Sequence, residues 1–333
     1  MKIKKAVTFR ASSIGDCLMG KYVLENIHRK FPEARCGIVV ASRGAMIRDL
    51  LAVYPWIEVI EANRHNSNAV MQLWRAYRRS ELVIMPYAGK TGGRVNFASK
   101  VMGRFLAREG GLIGFEDISV WNTFLFSTVL PIRSERAVIE RDREALKSAG
   151  IAVSIQFPKM ICIEKKRIGD RFRVKNNKFL VVHLFSGNKG RELHPNKKRA
   201  LIEILIEKFP NTQLIISGGE NDKEEAMQFS KNESVTVVAG QTSLQELMNL
   251  ILESRGVISL DTGVAHITAQ LGKPLVVLST CLGRNWWFPE QYGEDAPITI
   301  FSCDDVCVNG HMFKNYPDCL NKISIESVIK AIK

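Results

Sequence analysis

The chain has 333 residues, 46% of them hydrophobic and 24% charged, which excludes a disordered chain and a single small domain; two packed domains of roughly 150 residues each are expected. No run approaches the roughly 18 apolar residues that cross a bilayer, and the basic start "MKIKKAVTF" meets Arg10 after too short an apolar stretch for a secretory signal, so a cytoplasmic protein is expected. Of the net charge of +13, residues 1–160 hold 25 Lys and Arg against 14 Asp and Glu, whereas residues 161–333 hold 22 against 20; unless this is a generally basic surface, the first half meets an anionic partner, whether a phosphorylated substrate, an anionic membrane surface or nucleic acid.

In chain order, "KKAVTFRA" predicts a strand and residues 16–30 a helix, on which Cys17, Gly20, Leu24, Ile27 and Phe31 recur at steps of three and four. Strands are predicted at 36–42, 57–62, 81–87 and 111–115, with helical stretches between them. The amphipathic helix 135–150 is closed by Gly150, a C-cap signal. Residues 151–178 are weakly patterned and mark the crossing between domains. Alternation then restarts, with strands at 179–185, 212–219, 234–240, 256–261 and 274–279 and helices at 195–208, 222–230, 243–254 and 262–272. Strands alternating with helices predict parallel βαβ units, and continuous apolar strands predict sheets covered on both faces. The expected fold is α/β, two Rossmann-like doubly wound domains with a cleft between them: residues 1–165, residues 166–322, and a closing helix at 323–333 that packs back toward the first domain.

In open parallel sheets, ligands bind at the carboxyl ends of the strands, and four strand ends here carry chemistry. After the first strand, "RASSIGDCLMG" places Arg10, Ser12, Ser13, Gly15 and Asp16 at a helix start. Asp16 is either a cap or, facing a bound phosphate ester, a general base. After strand 179–185, Ser186, Gly187, Lys189 and Arg191 form a flexible cationic loop that can neutralise a leaving diphosphate, or a solvated basic turn. After strand 212–219, Glu220 follows a glycine turn, as do the acids that accept ribose hydroxyls in dinucleotide sites. After strand 256–261, Asp261 precedes the helix start Thr262–Gly263, whose free amides and dipole suit a phosphate, and His266 and Gln270 make a polar stripe on that helix. An N-cap with a hydrogen-bonded core histidine is the simpler alternative there. Lys90 and Arg94 are further candidates for an anionic acceptor. No D-x-D triplet is present, so charge on a donor falls to helix N-termini and to Lys and Arg, with no metal and no cofactor expected. Cys303, Cys307, His311 and Cys319 cluster near the end without the paired C-x2-C spacing of zinc sites, so reduced thiols are expected, with a metal as the alternative.

Two blocks carry a resemblance. "DTGVAHITAQLGKPLVVL" resembles the D-[ST]-G-x-x-H signature of glycosyltransferase family 9, the ADP-heptose:lipopolysaccharide heptosyltransferases, and "RASSIGDCLMGKYVLENIHRKFPEA" resembles that family's opening R-x-S-x-I-G-D block. "LIISGGENDKEEA" and "VVAGQTSLQELMNLI" are similar to further family segments, whereas "RELHP" replaces the family's K-x-W-P-like block and "NWWFPEQYG" departs from its usual turn. The resemblance implies a GT-B architecture, with Asp16 as the base, Thr262 and Gly263 on the diphosphate, Asp261 and His266 beside sugar and phosphate, Glu220 on the ribose, and Lys189 or Arg191 as the loop cation. It implies an inverting heptosyl transfer from ADP-heptose to an anionic, phosphorylated glycolipid at the inner face of the inner membrane, with peripheral membrane contact, and Arg10, Ser13 and Gly15 near the acceptor. A sugar-nucleotide epimerase of the same architecture is an alternative, as are a glycosyltransferase of the same family using another nucleotide-sugar or acceptor and a basic binding protein for anionic lipid or nucleic acid. No nucleic-acid-binding motif or interleaved aromatic residues support the last.

Overall fold

A computed structural model describes residues 2–62, 65–85, 97–117, 121–131, 137–163, 167–174, 178–280, 292–293, 295–302 and 318–332. The chain divides into two compact units, Met1–Pro158 and Lys159–Lys333. In the first, β1 (Lys5–Phe9), α1 (Ile14–Lys30), β2 (Arg35–Val40), α2 (Gly44–Leu50), β3 (Ile57–Glu61), α3 (Ser67–Tyr77), β4 (Leu82–Ile84), α4 (Phe97–Leu106), β5 (Leu112–Phe115), α5 (Asn122–Leu125), β6 (Thr128–Leu130) and α6 (Val138–Ser148) follow one another. The second holds α7 (Ile168–Arg171), β7 (Phe179–His183), α8 (Pro195–Lys208), β8 (Gln213–Ile216), α9 (Lys223–Met227), β9 (Val235–Val237), α10 (Leu244–Glu253), β10 (Gly256–Leu260), α11 (Gly263–Gln270), β11 (Leu275–Leu278) and β12 (Ile298–Phe301), then helices Asp318–Asn321 and Ile325–Ala331.

Each unit has a six-stranded sheet, ordered β3-β2-β1-β4-β5-β6 in the first and β12-β11-β10-β7-β8-β9 in the second. Counted within its own unit, the second order is the first one reversed, so both are the doubly wound 3-2-1-4-5-6 arrangement. All pairings are parallel; Val7 pairs with Val83 across β1–β4 and Val257 with Val181 across β10–β7, the two places where strand order turns back. The continuous apolar strands have the expected cause, since "GVISL" of β10 is buried along its whole length between helical layers. β6 and β12 were not anticipated. Both are short edge strands with half-buried side chains, and such positions impose no continuous apolar run.

α6 ends as its sequence predicts, at Gly150 with φ of 70°, the left-handed conformation glycine adopts without strain. The closing helix packs within its own unit. Val328 is buried in the core of the second unit, with Ile325 and Ile329 packed against the same cluster and the helix lying on α8.

Candidate active site

In the first unit the corner after β1 is built around the start of α1. Ser13 has extended backbone angles (φ −93°, ψ 151°), so its Oγ accepts the Asp16 N–H at 3.2 Å, and its hydroxyl donates to the Asp16 carboxylate. Asp16 is thus both a first-turn acid of α1 and a half-buried carboxylate at the positive end of a helix of 17 residues. Gly15 is buried beneath it.

Arg10, a candidate for the acceptor, is held within the first unit. It is 5% exposed, its Nη2 donates to Asp142 Oδ1 at 2.7 Å and its Nε to Thr8 Oγ1 at 3.0 Å. A Cβ on Gly20 would lie 2.9 Å from Arg10 Cγ, so the glycine makes the space in which the arginine crosses α1. Burial raises the Asp142 pKa, Arg10 opposes that rise, and the nearby Asp16 charge adds to it. Asp16 therefore shares its corner with a buried ion pair that braces β1 against α6.

In the second unit three strand ends converge. After β10, Asp261 is 7% exposed and accepts the Ser279 hydroxyl at 3.4 Å; its Oδ1 lies 3.9 Å from His266 Nε2. Burial raises the Asp261 pKa, and the Arg191 guanidinium opposes the rise. His266 is pushed down to about 3, chiefly by burial and then by Arg191, so its ring is neutral at physiological pH. Its Nδ1 is 2.6 Å from the Tyr292 hydroxyl. Thr262 caps α11 in extended conformation (φ −139°, ψ 179°) with no side-chain cap bond, which leaves the first-turn amides aimed outward from the strand edge. The polar stripe of α11 is mostly internal: Gly263 is half-buried, whereas His266 and Gln270 are buried.

The loop after β7 is held from within. Glu192, fully buried, accepts the Ser186 N–H at 2.8 Å and pairs with Lys198 at 2.6 Å and Lys189 at 2.9 Å. Lys198 also reaches Glu225 at 2.7 Å, and Lys189 lies 3.5 Å from it. Lys189 is thereby committed to two carboxylates. Arg191 is exposed, with its charge felt at both Asp261 and His266. Gly187 is exposed, with open space where a side chain would stand. At the end of β8, Glu220 is mostly exposed, 3.8 Å from Lys223, and its side chain covers Gly240. His183, closing β7, meets Ser217 Oγ at 3.1 Å, and burial pushes its pKa down to about 4.

So Asp261, Thr262, Gly263, His266 and Arg191 gather at one edge of the second sheet, with Ser186, Gly187 and Glu220 on neighbouring strand ends; Asp16, Ser13, Gly15 and Arg10 gather at the matching edge of the first. Lys90, Arg94, Cys303, Cys307 and His311 lie outside the described residues, and Cys319 is buried. Among the described residues no group of three or more His, Cys, Asp or Glu is placed to hold a metal. Sequence reasoning missed Asp142, Glu192, Ser279 and Tyr292. Only Glu192 left a signal, an acid three residues after Lys189 in a basic loop.

The family model of glycosyltransferase family 9 (heptosyltransferase) matches residues 113–280, half of the chain. No curated protein matches by sequence. Among solved structures, a glycosyl transferase family 9 protein of Veillonella parvula is similar with a TM-score of 0.77 at 16% identity, covering 99% of this chain and 96% of its own. E. coli ADP-heptose lps heptosyltransferase II gives 0.73 at 16% over 98% and 97%. E. coli heptosyltransferase WaaC with ADP gives 0.69 at 16% over 98% of each chain.

Proposed function

This chain belongs to glycosyltransferase family 9 and is a glycosyltransferase, and we propose that it moves a heptose from ADP-heptose to a hydroxyl of a phosphorylated lipopolysaccharide inner-core lipid, with inversion and without a metal. The observation that carries this reading is the second sheet's edge. There the open first turn of α11, the exposed Arg191, the buried Asp261 and the neutral His266 meet where strand order reverses. An amide-lined helix start with an adjacent guanidinium suits a diphosphate. E. coli WaaC was solved with ADP and with ADP-2-deoxy-2-fluoro heptose, which supports an adenine nucleotide here.

In the proposed reaction, the Asp16 carboxylate takes the proton of the acceptor hydroxyl as its oxygen attacks C1 of the donor sugar from the face opposite the diphosphate. The bond from C1 to the leaving oxygen breaks, and the electron pair departs with ADP. The α11 amides and Arg191 stabilise the charge that develops on the diphosphate. Asp261 and His266 hold the helix start in place, His266 through Tyr292 and Asp261 through Ser279. Glu220, exposed at its strand end, accepts ribose hydroxyls. The net positive charge of the first half attracts a phosphorylated acceptor and the anionic inner face of the inner membrane.

A melting-temperature screen of ADP, UDP, GDP and TDP tests the donor, since a ligand of the folded state raises its melting point; a shift with UDP and none with ADP removes the heptose reading. Asp16→Asn is expected to lose about 10²–10⁴ in turnover while the ADP shift is kept. Retained turnover excludes Asp16 as the base.

A further inference from the structure

The first unit contains a groove of about 860 Å³ between α3 and α4, whose polar lining among the described residues is His65, Ser67 and Ser99. Phe9, Val39 and Ala62, at the ends of β1, β2 and β3, form its floor, so it opens on the sheet edge that carries Ser13 and Asp16. Phe9 is followed directly by Arg10, the start of that corner. The rim is apolar and wet: Met71 is 47% exposed, Trp74 37% and Phe105 67%. A volume of this size lies in the range of small-molecule sites. Large apolar side chains left in water around one groove mark a binding surface.

Charge decides what kind of occupant fits. Neither α3 nor α4 carries an acidic residue. Arg78 lies over the Trp74 ring at 5.2 Å, on the groove's rim, and the exposed Arg75, Arg104 and Arg108 stand on or just beyond the same two helices. Lys100, by contrast, is buried and turned to Asp117 (2.5 Å) and Asn122 (2.6 Å). The groove is therefore an apolar slot with Arg78 at its Trp74 rim and, among the described residues, no acidic side chain in its lining. That combination suits an anionic amphiphile, with hydrocarbon inside and phosphate on the guanidinium groups.

We propose that the α3–α4 groove binds an acyl chain of the phosphorylated lipid acceptor, so that the protein recognises the lipid as well as the sugar of its substrate. The proposal rests on the reading of the acceptor as a glycolipid. It makes the first unit a lipid-binding module that delivers an acceptor hydroxyl to the Asp16 edge.

Binding alone tests it, without turnover. Displacement of a dansylated undecanoate probe from the full-length chain is measured with monoacylglycerol phosphates of increasing chain length. Each methylene withdrawn from water is worth roughly fourfold in affinity, until the groove is full. Ala98 is an exposed residue lining the groove, so Ala98→Trp fills it from the solvent side without touching the core. The expected result is affinity that climbs with chain length and then levels, lost at least tenfold in Ala98→Trp and in Phe105→Glu, with both variants melting at the parental temperature. Affinity independent of chain length, or unaffected by Ala98→Trp, overturns the proposal. Binding only to phosphatidylglycerol vesicles, or a concentration-dependent dimer that Ala98→Trp dissolves, also overturns it, in favour of bilayer docking or self-association. If acyl binding is found but no sugar is transferred to an acylated acceptor, the functional reading fails while the groove assignment stands; if transfer occurs with no acyl binding, the reverse holds.

Discussion

Glu192→Ala is expected to cost the second unit about 3–4 kcal/mol. Glu192 and Lys198 are both fully buried and 2.6 Å apart. Removing one partner of such a pair leaves an uncompensated charge and typically costs about 3–5 kcal/mol. Lys198 keeps Glu225 at 2.7 Å, which places the loss near the low end. The Ser186 amide also loses its acceptor, for roughly 1 kcal/mol more. In a unit of the size of Lys159–Lys333, each kcal/mol moves the melting point by about 2–4 °C, so a drop of roughly 10 °C should appear by calorimetry. The double variant Glu192→Met with Lys198→Met is expected to recover most of it, because apolar isosteres of a buried pair are often neutral, and Lys198 already packs over the Phe185 ring at 4.6 Å. A drop of only a degree or two in Glu192→Ala, or a double variant no better than the single, refutes the view that this pair holds the loop.

Arg191→Gln should reduce kcat/KM by about 10²–10³ and Lys189→Gln by less than about tenfold, since Lys189 is engaged by Glu192 and Glu225; steady-state kinetics showing the opposite order would reassign the loop cation. Gly20→Ala drives a methyl against Arg10 Cγ (2.9 Å) and should destabilise by about 1–3 kcal/mol, read in urea melts. The pH dependence follows from His183 and His266, held down to about 4 and about 3, whereas in the unfolded chain both titrate near 6.5. Their neutral forms contribute stability that is complete above about pH 6.5 and is lost as pH falls from there toward 4 and 3, because the unfolded state then binds more protons. Melting temperatures taken from about pH 8 to about pH 5 should decline below 6.5, and His266→Gln should flatten that slope; an unchanged slope excludes His266 as a contributor.

The alternation of apolar runs and amphipathic helices was enough to read ten of the strands, because buried parallel strands must be apolar on both faces; of the four edge strands, β3 and β9 carry that signal and β6 and β12 follow no helix-length periodic stretch that marks them. The Asp16 and Asp261 corners are legible for a related reason. Polar and glycine residues interrupting an apolar strand end have few structural uses. Asp142 is the opposite case. It lies in "ERDRE", which reads as a solvated helix face, yet it is fully buried on Arg10, a pairing across 132 positions that no local pattern announces. Tyr292 is likewise tied to His266 only by the folded chain. The choice between Lys189 and Arg191 could not be read from spacing, since it turns on which of them Glu192 and Glu225 neutralise.

The strand order also has a consequence on the ribosome. β10 lies beside β7, so the middle of the second sheet cannot close until Gly256–Leu260 has left the exit tunnel, and the helix start at Thr262 follows at once. The first unit has all its described strands and helices before Pro158. With synthesis at about 5–20 residues per second, it has roughly ten to thirty seconds to fold before its companion is complete. Its apolar groove thus meets the cell well before any sugar donor can be held.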